Sequence, residues 1–176
     1  MFSKEINVLK DVKVGLSGNV VTASGAQGEV MKVLDIPKNV KIEITESKVK
    51  VSSESERRST KAVVGAISAN IRNVMEGAAK GYTYRMRVIY SHFPVTVKSE
   101  GGKILVNNFL GERVPRVAKI LGSTKVKIDQ QDLTLTGPSL DDVSQTAANI
   151  EQTCRIVGFD KKVFQDGIYI TSKNVE

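Results

Sequence analysis

The sequence predicts an α+β protein built from two tandem repeats of one small unit, each an antiparallel β-sheet packed against a single α-helix. Three observations support this prediction. The chain of 176 residues contains an internal repeat, each copy has several short stretches of alternating apolar residues, and each copy then has one stripe of apolar residues at helical spacing.

The internal repeat consists of five short segments that recur in the same order, 79 to 86 residues apart. Such a series of matches indicates a duplicated module. The matching pairs are 28–29 with 111–112, 40–43 with 126–129, Val49 and Val51 with Leu133 and Leu135, 69–71 with 148–150, and 81–84 with 167–170.

Short stretches with a period of two residues predict the strands, and glycine, proline and asparagine mark the turns between them. In the first copy the predicted strands are 20–23, 30–34, 40–44 and 48–51, and in the second copy they are 95–98, 103–107, 117–121, 126–128 and 133–136.

One helix follows the strands of each copy. In the first copy the apolar stripe lies within 64–78, with Ser59 or Thr60 as the predicted N-cap and Gly81 as the end. In the second copy the stripe runs from Leu140 to Cys154, and Ser139 is the predicted N-cap. A final strand closes each copy, at 82–90 in the first and 168–171 in the second.

These elements predict two domains, 1–90 and 91–176. The second copy is longer at two places, by three residues between Gly111 and Val126 and by seven residues between its helix and its last strand. The second extension contains Arg155, Lys161 and Lys162. Extended surface loops commonly carry binding functions, so these two places are the predicted ligand-facing edge.

The composition favours an anionic partner. The net charge is +7 and the isoelectric point is about 9.5. No apolar run is long enough to span a membrane, and no signal-peptide pattern is present. We therefore expect a non-secreted protein without a membrane partner. Cys154 is the only cysteine and His92 the only histidine, which excludes a disulfide framework and a Cys/His metal site within one chain. No cofactor motif is present.

The segment 107–119, here called the first basic segment, has the composition of a nucleic-acid contact. It combines asparagine amides with Arg113, Arg116 and Lys119, and Glu112 is its single acid. Arginine and lysine neutralise phosphates, and amides bond sugars or base edges. The alternative is an ordinary hairpin with solvated charges, in which Phe109 fastens the hairpin to the core instead of stacking on a base.

Three separated motifs resemble the archaeal and eukaryotic form of the large-subunit ribosomal protein six family. They are 84–94 (YRMRVIYSHFP), 108–116 (NFLGERVPR) and 164–170 (FQDGIYI), and the likeness extends from about Ile6 to Lys173. The resemblance implies a fold of two related modules, each a sheet with one helix.

The resemblance also implies a function. It indicates a non-catalytic structural constituent of the cytoplasmic ribosome that binds large-subunit ribosomal RNA, mainly through its C-terminal module, near the stalk base and the sarcin–ricin loop. Neighbouring ribosomal proteins at the stalk base are the expected protein partners of a single copy in the particle. The implied RNA-facing residues are Asn107, Asn108, Arg113, Arg116, Lys119, Arg155, Lys161, Lys162 and Lys173.

Several remaining residues are interpreted structurally. Tyr82, Phe164 and Tyr169 lie on or beside strands and are predicted to be core or cross-strand residues. His92 is interpreted as a linker residue with a local hydrogen bond, and Cys154 as a small buried hydrophobe.

A different class of function also fits the sequence. The acids from Asp129 to Glu151 form a nearly pure acidic block, which could be the docking face of a protein–protein adaptor within a ribonucleoprotein. An adaptor of this kind would not bind RNA.

Overall fold

The strands and helices follow the alternation of apolar residues along the chain. The computed structural model describes residues 2–9, 11–45 and 47–173. Within these ranges it contains thirteen β-strands, two α-helices and one short 3₁₀ turn. They form two compact units, and the boundary falls between Gly81 and Tyr82.

The first unit consists of two three-stranded antiparallel sheets and one helix. The sheet orders are β1-β6-β5 and β2-β3-β4. The elements are β1 (Phe2–Asn7), β2 (Lys13–Ser17), β3 (Val20–Gly25), β4 (Gly28–Val33), β5 (Val40–Ile44), β6 (Lys48–Ser53) and α1 (Arg58–Ala79).

The core of the first unit lies between its strands and α1. Val49 and Val51, on alternate positions of β6, are fully buried, and they belong to the same apolar cluster as Ile71 and Met75 of α1. Gly25 lies so close to the last turn of α1 that a Cβ atom there would be 2.6 Å from the carbonyl oxygen of Ala78. A glycine is therefore required where the β3–β4 hairpin meets the helix.

The second unit also has two antiparallel sheets and one helix. The sheet orders are β10-β9-β8 and β11-β12-β7-β13. The elements are β7 (Tyr82–Ile89), β8 (Thr96–Glu100), β9 (Lys103–Asn107), the 3₁₀ turn Phe109–Gly111, β10 (Arg116–Lys119), β11 (Lys125–Asp129), β12 (Asp132–Gly137), α2 (Leu140–Thr153) and β13 (Gly167–Lys173).

The predicted fold class is confirmed, since both units are antiparallel sheets with a single helix. The structure adds that the strands of each unit are divided between two sheets. Every strand predicted from the sequence is present, but β1 and β2 were missing from the prediction. In β1 only Ile6 is buried, and the three residues before it, 3–5, are polar or charged, so the alternation that identifies a strand is weak there.

The strand after α1 does not close the first unit, so the expectation that 82–90 belongs to the first module is wrong. β7 lies between β12 and β13, with Tyr84 opposite Leu135 and Met86 opposite Ile170. Its alternate residues, from Tyr82 to Val88, are buried in the core of the second unit. The sequence match of 81–84 with 167–170 identifies a strand that follows a helix, but it does not specify the sheet that the strand joins.

The helix ends agree only in part with the prediction. Gly81 has a positive φ of 79°, as a residue that ends a helix requires. Ser139 caps α2 by accepting a hydrogen bond from the Asp142 backbone N–H at 3.3 Å, which confirms that prediction. The predicted cap of α1 at Ser59 or Thr60 is wrong, because the helix begins at Arg58 after Arg57, which makes no side-chain cap bond.

The placement of β7 predicts which fragments of the chain fold. A fragment of residues 82–176 should unfold cooperatively, because it retains both hydrogen-bonded neighbours of β7 and the complete second core. A fragment of residues 91–176 lacks the strand between β12 and β13, so it should show no cooperative transition. Thermal unfolding followed by circular dichroism would compare them, and a cooperative transition in the shorter fragment would contradict the assignment of β7.

Candidate nucleic-acid interface

The first basic segment begins with a sharp reversal of the chain. Asn108, Leu110 and Gly111 have positive φ angles of 58°, 52° and 77°, so the chain turns through left-handed conformations immediately after β9. The Asn108 side chain donates a hydrogen bond of 3.0 Å to the carbonyl oxygen of Pro94. This bond fastens the turn to 91–94, here called the junction segment.

Phe109 is a core residue of the second unit and not a base-stacking residue. It is only 1% exposed, and the Arg116 guanidinium carbon lies 4.4 Å above the centre of its ring. The ring therefore has no face available for a nucleobase. The interpretation of Phe109 as the residue that fastens the hairpin to the core is the correct one.

Arg116 is bound within the protein. Its guanidinium donates to both carboxylate oxygens of Glu112, at 2.8 and 2.6 Å. It also donates to the backbone carbonyls of Thr153 at 2.8 Å and Arg155 at 3.0 Å. Four of its five N–H groups are used in this way.

These bonds give Arg116 a role within the protein, and with its side chain still 24% exposed the expectation that it faces RNA stays a prediction. The side chain joins β10 to Thr153, the last residue of α2, and to Arg155 beyond it, and so it connects the two predicted basic regions. Hydrogen bonding to Glu112 raises the pKa of the Arg116 guanidinium, and the same bonds lower the pKa of the Glu112 carboxyl.

Arg113 and Lys119, the two other cations of the first basic segment, are exposed. Among the described residues, neither side chain makes an ion pair or hydrogen bond, so both charges are available to a ligand. Asn107 is half-buried and makes a long side-chain contact of 3.5 Å with the Thr96 carbonyl. The Lys119 backbone carbonyl accepts a hydrogen bond from Asn149, which fixes this end of β10 against α2.

The second extension forms the loop 155–166 between α2 and β13, here called the second basic loop. Arg155, Lys161 and Lys162 are all exposed. The two lysines lie in a compact turn, because Asp160 accepts hydrogen bonds through its side chain from the Lys162 backbone N–H and through its carbonyl from that of Phe164, both at 2.9 Å.

The end of the second basic loop is fastened by a buried carboxylate. Asp166 is completely buried and accepts hydrogen bonds from the backbone N–H groups of Ser91 at 3.0 Å and His92 at 3.4 Å. The His92 ring lies 3.4 Å from the same carboxylate and stacks on Phe164, with ring centres 4.3 Å apart.

The contacts of His92 correct the interpretation made from the sequence. Its bond to Asp166 spans 74 residues and is not local. Sequence reasoning missed Asp166 altogether. An aspartate followed by a glycine and a hydrophobic strand is typical of a turn. This local pattern does not indicate that Asp166 binds the junction segment.

The junction segment brings the two basic regions together. It is bonded to Asp166 at one end, and its Pro94 carbonyl accepts the bond from Asn108. Between them, the Phe93 ring lies against Gly111, where a Cβ atom would be only 3.3 Å from it. Arg116 provides the second connection, through its bond to the Arg155 carbonyl.

Lys173 is the predicted site residue that is not brought into this group. It is exposed at the last position of β13, six residues from Gly167. At the rise of an extended strand this corresponds to about 20 Å from the second basic loop.

The described residues show no sign of metal or thiol chemistry. They contain no cluster of three or more His, Cys, Asp or Glu side chains that could hold a metal ion. Cys154 is buried as predicted, and desolvation raises its pKa to about 11, so the thiol stays protonated at neutral pH. Neither α1 nor α2, the α-helices of the described chain, has the length and apolar character required of a membrane-spanning segment.

Comparison with known proteins identifies the family. The large ribosomal subunit protein uL6 of Methanosarcina mazei is 44% identical to this chain over 171 residues, which cover 97% of each protein. The chain belongs to the uL6 family. The uL6 protein of Saccharolobus solfataricus is 39% identical over 172 residues, 98% of this chain and 95% of that protein.

The family described as ribosomal protein L6 matches residues 93–167 of the chain. This range contains the end of the junction segment, the first basic segment and the second basic loop. The resemblance to the ribosomal protein six family is therefore confirmed.

The role of Arg116 in this uL6 protein predicts a loss of stability when it is removed. Arg116→Ala should lower the free energy of unfolding by about 1–3 kcal/mol, because two backbone carbonyls and Glu112 lose their donor. Arg113→Ala removes an equal charge from an exposed side chain without a partner among the described residues. It should change the stability by less than about 0.5 kcal/mol. Equal effects in urea denaturation would contradict the internal role of Arg116.

The Glu112–Arg116 pair also predicts a pH dependence. Since the folded protein lowers the pKa of Glu112, the stabilisation is present above the unfolded-state value of about 4.3 and is lost as the pH falls through the folded-state value. Glu112→Gln should therefore cost roughly 0.5–1 kcal/mol at pH 7, since the pair is partly exposed, and less at pH 3.

The control for this measurement is Glu29→Gln, at the matching position of the first repeat, where the exposed side chain has no ion pair among the described residues. Urea denaturation at both pH values compares the variants. A cost of Glu112→Gln that is the same at pH 3 and pH 7 would show that the charge of Glu112 does not contribute.

Proposed function

We propose that this uL6 protein binds large-subunit ribosomal RNA through its second unit, with the first basic segment and the second basic loop as one continuous contact. The observation that carries the proposal is the connection of these two regions through Arg116 and the junction segment. Five exposed cations are thereby held on neighbouring parts of one unit.

Membership of the uL6 family makes the chain a structural constituent of the large ribosomal subunit and not an enzyme. Its place is the cytoplasmic ribosome, as for its archaeal relatives. The finer position, near the stalk base and the sarcin–ricin loop with neighbouring ribosomal proteins as partners and one copy in each particle, is part of our proposal.

The proposed contacts differ in role. Direct phosphate contacts come from exposed cations, whose binding releases counterions from the RNA. These residues are Arg113, Lys119, Arg155, Lys161 and Lys162. Asn107 and Asn108 lie at the turn before them and are suited to sugar or base edges, although the Asn108 amide already donates to Pro94.

Two of the residues predicted to face RNA have other roles in this proposal. Arg116 orients the contact, and the four N–H groups that it uses within the protein are not available to phosphate. Lys173, at the far end of β13, would meet a separate part of the RNA.

Fixed loops are well suited to this task. Large folded RNAs are recognised mainly by shape and by backbone contacts, with little reading of base sequence. Loops that are already ordered lose little conformational entropy on binding. The hydrogen bonds of Asp166, Arg116 and Asn108 hold both basic regions in place before the RNA arrives.

The adaptor alternative has less support. Asp132, within the acidic block, is paired with Arg87 at 2.8 Å. Asp141 and Asp142 lie in the first turn of α2, where negative charge is favoured by the helix dipole. These acids thus have roles within the fold, and no observation favours a docking face.

The proposal predicts a change in the salt dependence of RNA binding. In the double variant Arg113→Ala/Lys119→Ala, the slope of log affinity against log salt should fall in magnitude by about two, because each removed cation neutralises about one phosphate. Filter binding of the full chain to deproteinised large-subunit rRNA from its own source, over a KCl titration, measures the slope.

The matched control is Lys125→Ala/Lys127→Ala, which removes two exposed cations from β11 in the same unit. Its slope should remain close to that of the unchanged protein. Equal slopes for all three proteins would show that the first basic segment does not contact the RNA. Equal reductions in both variants would show that only the net charge matters.

A further inference from the structure

An open pocket of about 370 Å³ lies between the end of α2 and the start of β13, inside the region of the second basic loop. Its walls are apolar and aromatic, formed among others by Ile156, Phe164 and Ile168. Arg155 and Lys161 also line it. The combination of an apolar interior with two cations is unusual for a contact that binds only phosphates.

Tyr169 forms an exposed aromatic surface at this pocket. A Cβ atom on Gly167 would lie 2.9 Å from three atoms of the Tyr169 side chain, so the absence of a side chain at Gly167 allows the ring to lie against the backbone. The Tyr169 hydroxyl donates a hydrogen bond of 3.2 Å to the Gln165 carbonyl. The ring is thus held at both its edge and its face, while Tyr169 remains 40% exposed.

The exposed part of the Tyr169 ring is covered neither by the core nor by its cross-strand neighbour. Tyr169 lies opposite Arg87 in the sheet, as a cross-strand residue would. The Arg87 guanidinium, however, is bound to Asp132 and not to the tyrosine. The exposed part of the ring is therefore available to a flat ligand.

We infer that the pocket receives one unstacked nucleobase of the bound RNA, which stacks on the Tyr169 ring while Arg155 and Lys161 bind the adjoining phosphates. This inference rests on the proposed function and names a subsite within it. Single-stranded and bulged RNA is commonly bound by stacking of splayed-out bases on aromatic side chains.

The chemistry of the pocket agrees with a nucleobase. A base has two apolar faces and a polar edge, and the pocket offers both kinds of surface. Gln152 and Gln165, which are exposed and line the pocket, can donate and accept hydrogen bonds at the edge of a base. The nearby cations suit the negative charge that accompanies each base on its strand.

The test compares substitutions of Tyr169 in the full chain, using deproteinised large-subunit rRNA from its own source as the probe. Tyr169→Leu keeps an apolar side chain but removes the aromatic ring, and it should weaken binding about 5- to 150-fold, as removal of a base–aromatic stack does. Tyr169→Phe keeps the ring and should bind within about threefold of the unchanged protein.

The salt dependence distinguishes two causes of weaker binding by Tyr169→Leu, the loss of stacking and disorder of the second basic loop. Stacking releases no counterions, so Tyr169→Leu should leave the slope of log affinity against log salt unchanged. A disordered second basic loop would also remove the Lys161 contact and reduce the slope. A lower affinity accompanied by a smaller slope would therefore overturn the inference.

Tyr90→Leu is the matched control, because Tyr90 is 38% exposed and does not line the pocket. It should bind as the unchanged protein does. Binding of Tyr169→Leu equal to that of Tyr169→Phe would exclude the nucleobase subsite. If Arg113→Ala/Lys119→Ala still reduces the salt slope in that case, the proposed RNA contact stands and only the subsite fails. If the double variant also leaves the slope unchanged, both the RNA contact and the subsite are rejected.

Discussion

The second unit depends on the pairing of β7 with β12 on one side and β13 on the other. This strand contributes four buried residues to the core, and both of its edges are hydrogen-bonded. It also leads directly into the junction segment, which begins two residues after Ile89. The strand therefore fixes the place at which the chain leaves the sheet. It thereby also fixes the position of the junction segment, which contacts both basic regions.

The polar contacts around the junction segment fix the geometry of both basic regions. The buried Asp166 carboxylate accepts two hydrogen bonds from backbone N–H groups, and Arg116 donates two to carbonyls near the end of α2. Buried polar groups are costly without partners, so each contact fixes one arrangement of its loop. An ordered arrangement of cations is what a rigid, folded RNA requires of a protein that binds mainly to its phosphate backbone.

Residues of the same type have opposite roles in this interface. Arg113 is exposed and without a partner among the described residues, whereas Arg116, three positions later, is bound within the protein. Phe109 is buried under Arg116, whereas Tyr169 is exposed beside a pocket. Composition identified the basic regions, but it could not divide their members into those available to a ligand and those that support the surface from within.

The sequence by itself determined the α+β class, the repeat, most of the strands, the cap of α2 at Ser139 and the family, because apolar periodicity, capping residues and motifs are local properties of the chain. Only the tertiary structure decided that β7 belongs to the second unit, that Arg116 is occupied, and that Asp166 reaches the junction segment. The carbonyl partners of Arg116 and the partners of Asp166 lie between 37 and 75 residues away in the chain, and the place of β7 depends on a choice between sheets, which no local pattern encodes. The tertiary structure also decided the exposure of Tyr169, because its neighbour on β7, Arg87, is bound to Asp132 and not to the ring.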